Sequence, residues 1–438
     1  MKSKIFLLVL FVVVGFLLIL NKIDEQKYWE NQWGKQLIKD QQWLNSHPLT
    51  EKIEPYPIKT ACYWTSPVMH AADVPALARH DLVIADLENV YNNRASLLQL
   101  KRLNPNLKLL AYSNPMEIWT TTYSSRPWQN QVINEIVTKR PQWLLKTVVL
   151  DSEKGNYQDY AVFWQGMIML NFSSTCPKIK GETYSKWMAK KISQEILSDP
   201  IWDGYFQDNG TVNISWVYPK VRQKIDIDGD GRPDSDKFVD KKWKQGVEKY
   251  LSIIQRKFKP KRNFLAFLSG ANKSVKRNFL IITNKGDTNL LQFVDGKFFE
   301  WFPNDYLGGK WAGGWQQCVD NARITGPLTV FQVDRTNIDF GLASSLMLDN
   351  IYFAISQDDA GVFPQLYLDL GSPLGSAQKI GTIFIRQFQN YVVRVDPLNR
   401  LGEIIPAHLY IGEDDNLKNQ TDSSHVQSEQ VAGLKEAS

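Results

Sequence analysis

The sequence predicts an α/β protein: a (β/α)8 TIM barrel with a small C-terminal β-rich appendage, preceded by an N-terminal membrane helix. Three observations predict it. Short apolar runs alternate with stretches of helical periodicity at the spacing of βαβ units, and a generous count gives about eight such steps. Most of these runs end in a carboxylate or an amide, as barrel strands do where they build a site. No glycine-rich phosphate loop follows the first run, which weakens the dinucleotide-binding alternative. Periodicity alone is equally compatible with an open, doubly wound sheet.

Residues 1–22 read as a signal anchor or signal peptide. Lys2 and Lys4 precede an unbroken apolar run from Ile5 to Leu20, and no small-residue cleavage motif follows it. This places the rest of the chain outside the cytoplasm, tethered to the membrane or secreted if the segment is cleaved. Residues 23–58 form a stalk or linker helix, with Trp29, Trp33, Leu37 and Trp43 on one face and Pro48, Pro55 and Pro57 ending it.

The barrel is predicted over residues 59–350. Thr60–Trp64, Leu82–Glu88 and Leu107–Asn114 read as strands, with a helix carrying Leu97, Leu98 and Leu103 between the last two. Met167–Asn171 is a short apolar run, and Tyr184, Trp187, Met188, Ile192 and Ile196 recur at helical spacing. The aromatic run Asp203–Asn209 follows, then the long stripe Val239, Trp243, Val247, Tyr250, Leu251, Ile254 and Phe258, a core-facing helix. Phe264–Leu268 fits either a strand or a loop. Phe279–Asn284, Asp295–Trp301 and Leu328–Asp334 complete the strands. Residues 351–411 are β-rich and alternating, as in Thr382–Arg386 and Tyr391–Val395, and residues 412–438 form a polar, disordered tail.

Composition excludes several function classes. A net charge of +5 with no long Lys/Arg run argues against nucleic acid. Cys62, Cys176 and Cys318 are too scattered for zinc or a complete disulfide set. The 15 tryptophans and 17 tyrosines serve core packing or sugar stacking equally well.

The candidate site follows from the ends of the apolar runs. Asp86, Glu88, Asn114, Asn171, Asp208, Asn209, Asn284, Glu300 and Asp334 all lie at or just past a predicted strand end, and barrel strand ends converge on one mouth. Carboxylates and amides there suit a polyhydroxylated substrate, and Trp64, Tyr112 and Trp301 can stack on sugar faces. The Asp-Gly-aromatic run ending at Asp208 is echoed by Asp295–Trp301, which contains Glu300. Glycosidic cleavage needs one protonated and one ionised carboxyl group, and Asp208 and Glu300 are the expected pair: Asp208 the nucleophile or base, Glu300 the acid beside Phe298, Phe299, Trp301 and Phe302. Asp86 and Glu88 are the reserve acids.

A second motif is Asp226-Ile227-Asp228-Gly229-Asp230-Gly231-Arg232-Pro233-Asp234-Ser235-Asp236. Its acids at positions one, three, five and nine, with glycine at six, match a calcium loop. Asp226, Asp228, Asp230, the Arg232 carbonyl and Asp234 are the expected ligands of a structural Ca2+. Position twelve is Lys237, so Asp236 or a distant acid must replace the usual glutamate.

The chain resembles a group of secreted bacterial proteins grouped as hypothetical glycosyl hydrolase family fifteen, from about Lys59 to Leu398. The resemblance is carried by Ala85-Asp86-Leu87-Glu88, Asn106 to Pro115, Asp203 to Asn209, the Asp226–Asp236 loop followed by Trp243, Asn284, Phe299-Glu300-Trp301-Phe302-Pro303, Leu374-Gly375 and Arg386-Gln387-Phe388-Gln389-Asn390. More distantly it is similar to the endo-α-1,4-polygalactosaminidase barrels. The resemblance implies a (β/α)8 barrel with a β-rich C-terminal part and glycoside hydrolysis by Asp208 and Glu300.

Together these readings lead to a membrane-tethered, extracytoplasmic glycoside hydrolase acting on an exopolysaccharide or cell-surface glycan. A non-catalytic glycan-binding barrel in polymer export and a calcium-stabilised surface scaffold are the alternatives. Acids far apart would favour either alternative.

Overall fold

The computed structural model describes residues 27–48, 53–150, 155–217, 223–259, 278–303, 311–361 and 363–410. The predicted membrane helix, the Phe264–Leu268 segment and the predicted tail lie outside these residues. Among the described residues no helix is long and apolar enough to cross a membrane.

Eight parallel strands form one sheet in sequence order: β1 (Ala61–Trp64), β2 (Leu82–Asp86), β3 (Lys108–Ser113), β4 (Gly204–Gln207), β5 (Leu280–Asn284), β6 (Gly296–Phe299), β7 (Thr329–Gln332) and β8 (Ile351–Ala354). The ring closes where Thr60 bridges Phe353 in parallel, with the Phe353 N–H donating to the Lys59 carbonyl at 3.1 Å. The first seven correspond to strands marked in the sequence. One boundary moves: Ile351–Ala354, assigned by pattern to the C-terminal part, pairs with β7 and is the last barrel strand.

Strand alternation sorts the side chains into two cores. Tyr63, Ile84, Leu110, Phe206, Ile282, Phe298, Val330 and Ala354 point inward and fill the barrel. Cys62, Val83, Leu109, Tyr205 and Ile281 point outward, under the helices Arg94–Leu103, Tyr184–Glu195 and Asp236–Phe258. β5 and β6 are joined by residues 285–295, which contain no helix.

Most of the extra chain sits between β3 and β4. Glu117–Trp119 pairs antiparallel with Met167–Met169, and Lys146–Val149 lies between Tyr157–Tyr160 and Gln223–Asp226 in a three-stranded antiparallel sheet. The apolar run at Met167 therefore belongs to a side ribbon rather than the barrel. At the C-terminus, Gln378–Ile380, Ile383–Gln387, Tyr391–Asp396 and Leu401–Pro406 form the expected antiparallel sheet. It lies against the helix Ile338–Ser345, where a Cβ on Gly402 would meet the Asp339 carbonyl at 2.3 Å. Glycine is required there by the closeness of the two backbones.

The recurring Asp-Gly pairs explain themselves at the amino ends of β4 and β6. Asp203 accepts the Leu109 N–H at 2.9 Å and pairs with Lys101 at 2.5 Å. Asp295 accepts the Ile281 N–H at 2.8 Å and pairs with Lys259. Each aspartate thus clamps the neighbouring strand. Each following glycine leaves room for the strand on its other side, since a Cβ would come within 2.4 Å of the Leu280 carbonyl at Gly204 and 1.8 Å of the Leu328 carbonyl at Gly296.

Candidate active site

At the carboxyl ends of the strands the same chain delivers a different set of groups. Asp208 follows β4, Asn284 ends β5 and Glu300 follows β6, so three adjacent strands converge. Asn284 Nδ2 lies 2.8 Å from Asp208 Oδ1 and 2.8 Å from Glu300 Oε2. The two carboxylate oxygens that share this donor are therefore no further apart than twice that distance. Asp208 also accepts the Tyr112 hydroxyl on Oδ2 at 2.8 Å and the Asn209 N–H on Oδ1 at 2.7 Å. It is held by three donors from β3, β4 and β5.

Glu300 has a drier setting. Burial pushes its carboxyl up to about 7, the nearby Asp208 charge adds to the rise, and the Asn284 bond opposes it. Beneath both acids lies an aromatic floor in the barrel: Tyr63 packs against Phe298, Phe206 and Tyr112 with ring centres 4.8, 5.6 and 5.8 Å apart. This floor is the reason the acids are poorly solvated from below. Burial, reinforced by Asp208, also holds the Tyr63 and Tyr112 hydroxyls well above their usual range, so both stay protonated as donors.

Trp301 leaves the barrel directly after Glu300. Its φ of 58° is left-handed, and Gln332 fixes the turn by accepting the Trp301 N–H on Oε1 at 2.9 Å and the Phe302 N–H on its carbonyl at 2.7 Å. The indole is 56% exposed beside the acid.

A third carboxylate, Glu117, was not singled out in the sequence. It is 4% exposed and accepts Asn114 Nδ2 at 2.9 Å and Asn209 Nδ2 at 3.0 Å on Oε2, and the Trp164 N–H at 3.1 Å on Oε1. Burial raises its pKa, with bonds from Trp164 and Asn114 opposing and Asp208 adding. It ties Asn114 and Asn209, both expected at the mouth, into the same network. Asn209, at φ 52°, is in a conformation that asparagine tolerates better than most residues. A glutamate four residues past the end of β3, on a side ribbon, leaves no periodic signal.

Other expected site residues are occupied elsewhere. Trp64 is 8% exposed and points outward into the helix layer, so it is core, and its neighbour Tyr63 takes the inward place. Asp86 is fully buried, ion-paired to Arg126 at 2.8 Å and accepting the Glu88 N–H at 2.9 Å. Glu88, pushed by burial up to about 7, accepts the Trp128 and Gln129 N–H groups at 3.1 and 2.7 Å at the start of the helix Pro127–Lys139. Both reserve acids thus hold local structure. Asn171 is buried, donates to the Ile227 carbonyl at 2.8 Å and braces the acidic loop. Asp334 caps the turn Arg335–Asn337 through the Thr336 N–H at 2.8 Å.

In that acidic loop, carboxylate oxygens of Asp226, Asp228 and Asp234 lie within 4.8 Å of one another. Burial raises the pKa of Asp226 and of Asp234, and repulsion from Asp228 adds to both. Three hard oxygen donors so close suit a divalent cation. Asp230 accepts the Arg232 N–H at 2.8 Å, and Asp236 pairs with Lys224 at 3.2 Å at the start of the long helix. Neither Asp230 nor Asp236 joins the three-carboxylate group.

A parallel eight-stranded barrel with acids gathered at the carboxyl ends of its strands defines a class of barrel proteins whose chemistry sits at that rim. Within it, residues 101–392 match the family described as Hypothetical glycosyl hydrolase family 15, and the chain belongs to that family. Solved structures similar to it include a noncanonic maltogenic alpha-amylase from Thermotoga neapolitana, at 8% identity and TM-score 0.41 over 78% of this chain and 86% of that one. Another is a cycloisomaltooligosaccharide glucanotransferase from Paenibacillus sp., at 9% identity and TM-score 0.31 over 68% of this chain and 38% of that one. A comparison with curated proteins gives no match.

Proposed function

We propose that the protein is a glycoside hydrolase that cleaves a polysaccharide with Asp208 and Glu300. The observation that carries this reading is the shared Asn284 donor, which holds the two carboxyl groups side by side at one mouth. Retaining glycosidases place their carboxyl groups about 5–5.5 Å apart, and inverting enzymes about 6.5–9.5 Å. The ceiling set by Asn284 on the nearest oxygens favours retention.

The roles follow from the surroundings. Glu300, with a pKa of about 7, keeps a large protonated fraction at neutral pH, and that form delivers its proton to the glycosidic oxygen. Asp208, held by Tyr112, Asn284 and the Asn209 N–H, attacks the anomeric carbon and forms a glycosyl ester as the leaving sugar departs. Glu300, now a carboxylate, takes a proton from water. That water attacks the same carbon, releases the sugar and frees Asp208.

The Asp226, Asp228 and Asp234 carboxylates would hold a structural Ca2+, pinning the loop between the Gln223–Asp226 strand and the long helix. The apolar Ile5–Leu20 run would tether the enzyme on the outer side of a membrane, where polysaccharides are its substrate.

The acid role is tested by Glu300→Gln. It should slow cleavage of polymer strongly, and on aryl glycosides with very good leaving groups it should leave a near-normal burst of the first step followed by slow turnover, because the same residue is the base for the second. Unchanged activity on polymer ends the assignment.

A further inference from the structure

The side ribbon and the loop after β4 bring three aromatic residues together just beyond the acids. Phe163 packs edge-on against Trp164 on one side and Trp216 on the other, with ring centres 5.1 and 5.2 Å apart. The two tryptophans are 57% and 51% exposed. Each is tied to its surroundings by a hydrogen bond, Trp164 through its backbone and Trp216 through its indole. The Trp164 N–H donates to Glu117 Oε1, and the Trp216 indole N–H donates to the Asn213 carbonyl at 3.1 Å. The loop under Trp216 is fixed where the Ile214 and Ser215 N–H groups both donate to Asp240 at 2.9 Å.

This ledge is joined to the acid site. Glu117 bonds the Trp164 backbone through one oxygen and the Asn209 side chain through the other, and the Asn209 N–H bonds Asp208. Two hydrogen-bonding residues thus separate the ledge from the carboxylate proposed to attack. Exposed indole faces beside a polar mouth suit the C–H faces of pyranose rings, which pack on aromatic planes while their hydroxyls stay hydrated.

The geometry points to a second sugar-binding region at Phe163, Trp164 and Trp216, which holds a glycan chain beyond the sugars at the bond to be broken. It rests on the hydrolase reading for its position, and it narrows the substrate to a polymer. The platform comes from chain inserted between β3 and β4 and from the β4 loop, so the barrel supplies the acids and the insertion supplies the grip on the polymer.

Affinity electrophoresis of full-length protein in detergent, in gels containing dextran, pullulan, galactan or alginate, tests it. The Asp208→Asn variant serves as the background, because it keeps the surface and lacks the nucleophile. At least one polymer should retard this variant. Trp164→Ala with Trp216→Ala should weaken that retardation by about tenfold with the melting temperature unchanged. Replacing both tryptophans by phenylalanine, which keeps a ring, should restore much of the binding and covers the case of a poorly folding alanine pair. Retardation that survives the alanine pair, or no retardation by any of the four polymers, overturns the proposal. Hydrolysis is scored separately as cleavage by unsubstituted protein against Asp208→Asn, so failure of the acid pair and failure of the ledge give different results.

Discussion

The two ends of this barrel use the same residue types to opposite ends. At the amino ends of the strands, Asp203 and Asp295 each accept a backbone N–H from the next strand and pair with a lysine. At the carboxyl ends, Asp208 and Glu300 face each other through a neutral amide. The lower carboxylates have their charge matched and join strands. The upper ones share a neutral donor instead, and the closeness of the two acids works against folding and helps to raise the Glu300 pKa. A barrel can carry that unfavourable pairing because its stability is built elsewhere.

Breaking this comparison starts at the mouth. Asp208→Asn should reduce polymer cleavage by about 10^4-fold, since loss of a nucleophile removes the covalent route. The same variant should melt no lower than the unsubstituted protein in a calorimetric scan, because it relieves repulsion.

Glu300 sharpens the contrast through pH. Its carboxyl is raised from 4.5 to about 7, so the active protonated form is lost and kcat/KM should fall as pH rises through about 7. The stability sign is the same. Between those two values the folded state binds more protons at this group than the unfolded chain, so its contribution to stability falls as pH rises across that window. Glu300→Gln should flatten this part of a melting-temperature profile measured from pH 4.5 to 7. Glu88, also raised to about 7, will leave a residual slope.

At the opposite end the expected effects are on stability. Asp295→Ala leaves the Ile281 N–H and the Lys259 ammonium without this partner and should cost about 1–3 kcal/mol in denaturant unfolding. Activity per folded molecule should not change. The smallest effect concerns the acidic loop, which belongs to neither end. A chelator should lower the melting temperature by a few degrees, reversed by added Ca2+, and no shift would remove calcium from the account.

Much of this was legible in the chain. Apolar runs of strand length, most of them closed by a polar residue, marked seven of the eight barrel strands, and the echo of Asp208 in Glu300 marked the acid pair that Asn284 bridges. The misses have specific causes. Choosing Trp64 over Tyr63 is a slip of one residue, and with period two that exchanges the barrel interior for the helix layer. Asn171 ends an apolar run that pairs with Glu117–Trp119 in a side ribbon, and its amide is taken by the Ile227 carbonyl. Asp86, Glu88 and Asp334 do stand at or just past strand ends, but helix starts, turns and Arg126 claim their carboxylates.

The sequence by itself determined most of the strands, their order and which residues stand at their ends, because hydrophobic period and turn residues are local properties of the chain. Only the tertiary structure decided which of those ends share a donor, which are taken up by neighbouring backbone, and that Glu117 and Trp164 come in from the side. Those outcomes depend on contacts between residues tens of positions apart, and no local pattern encodes them.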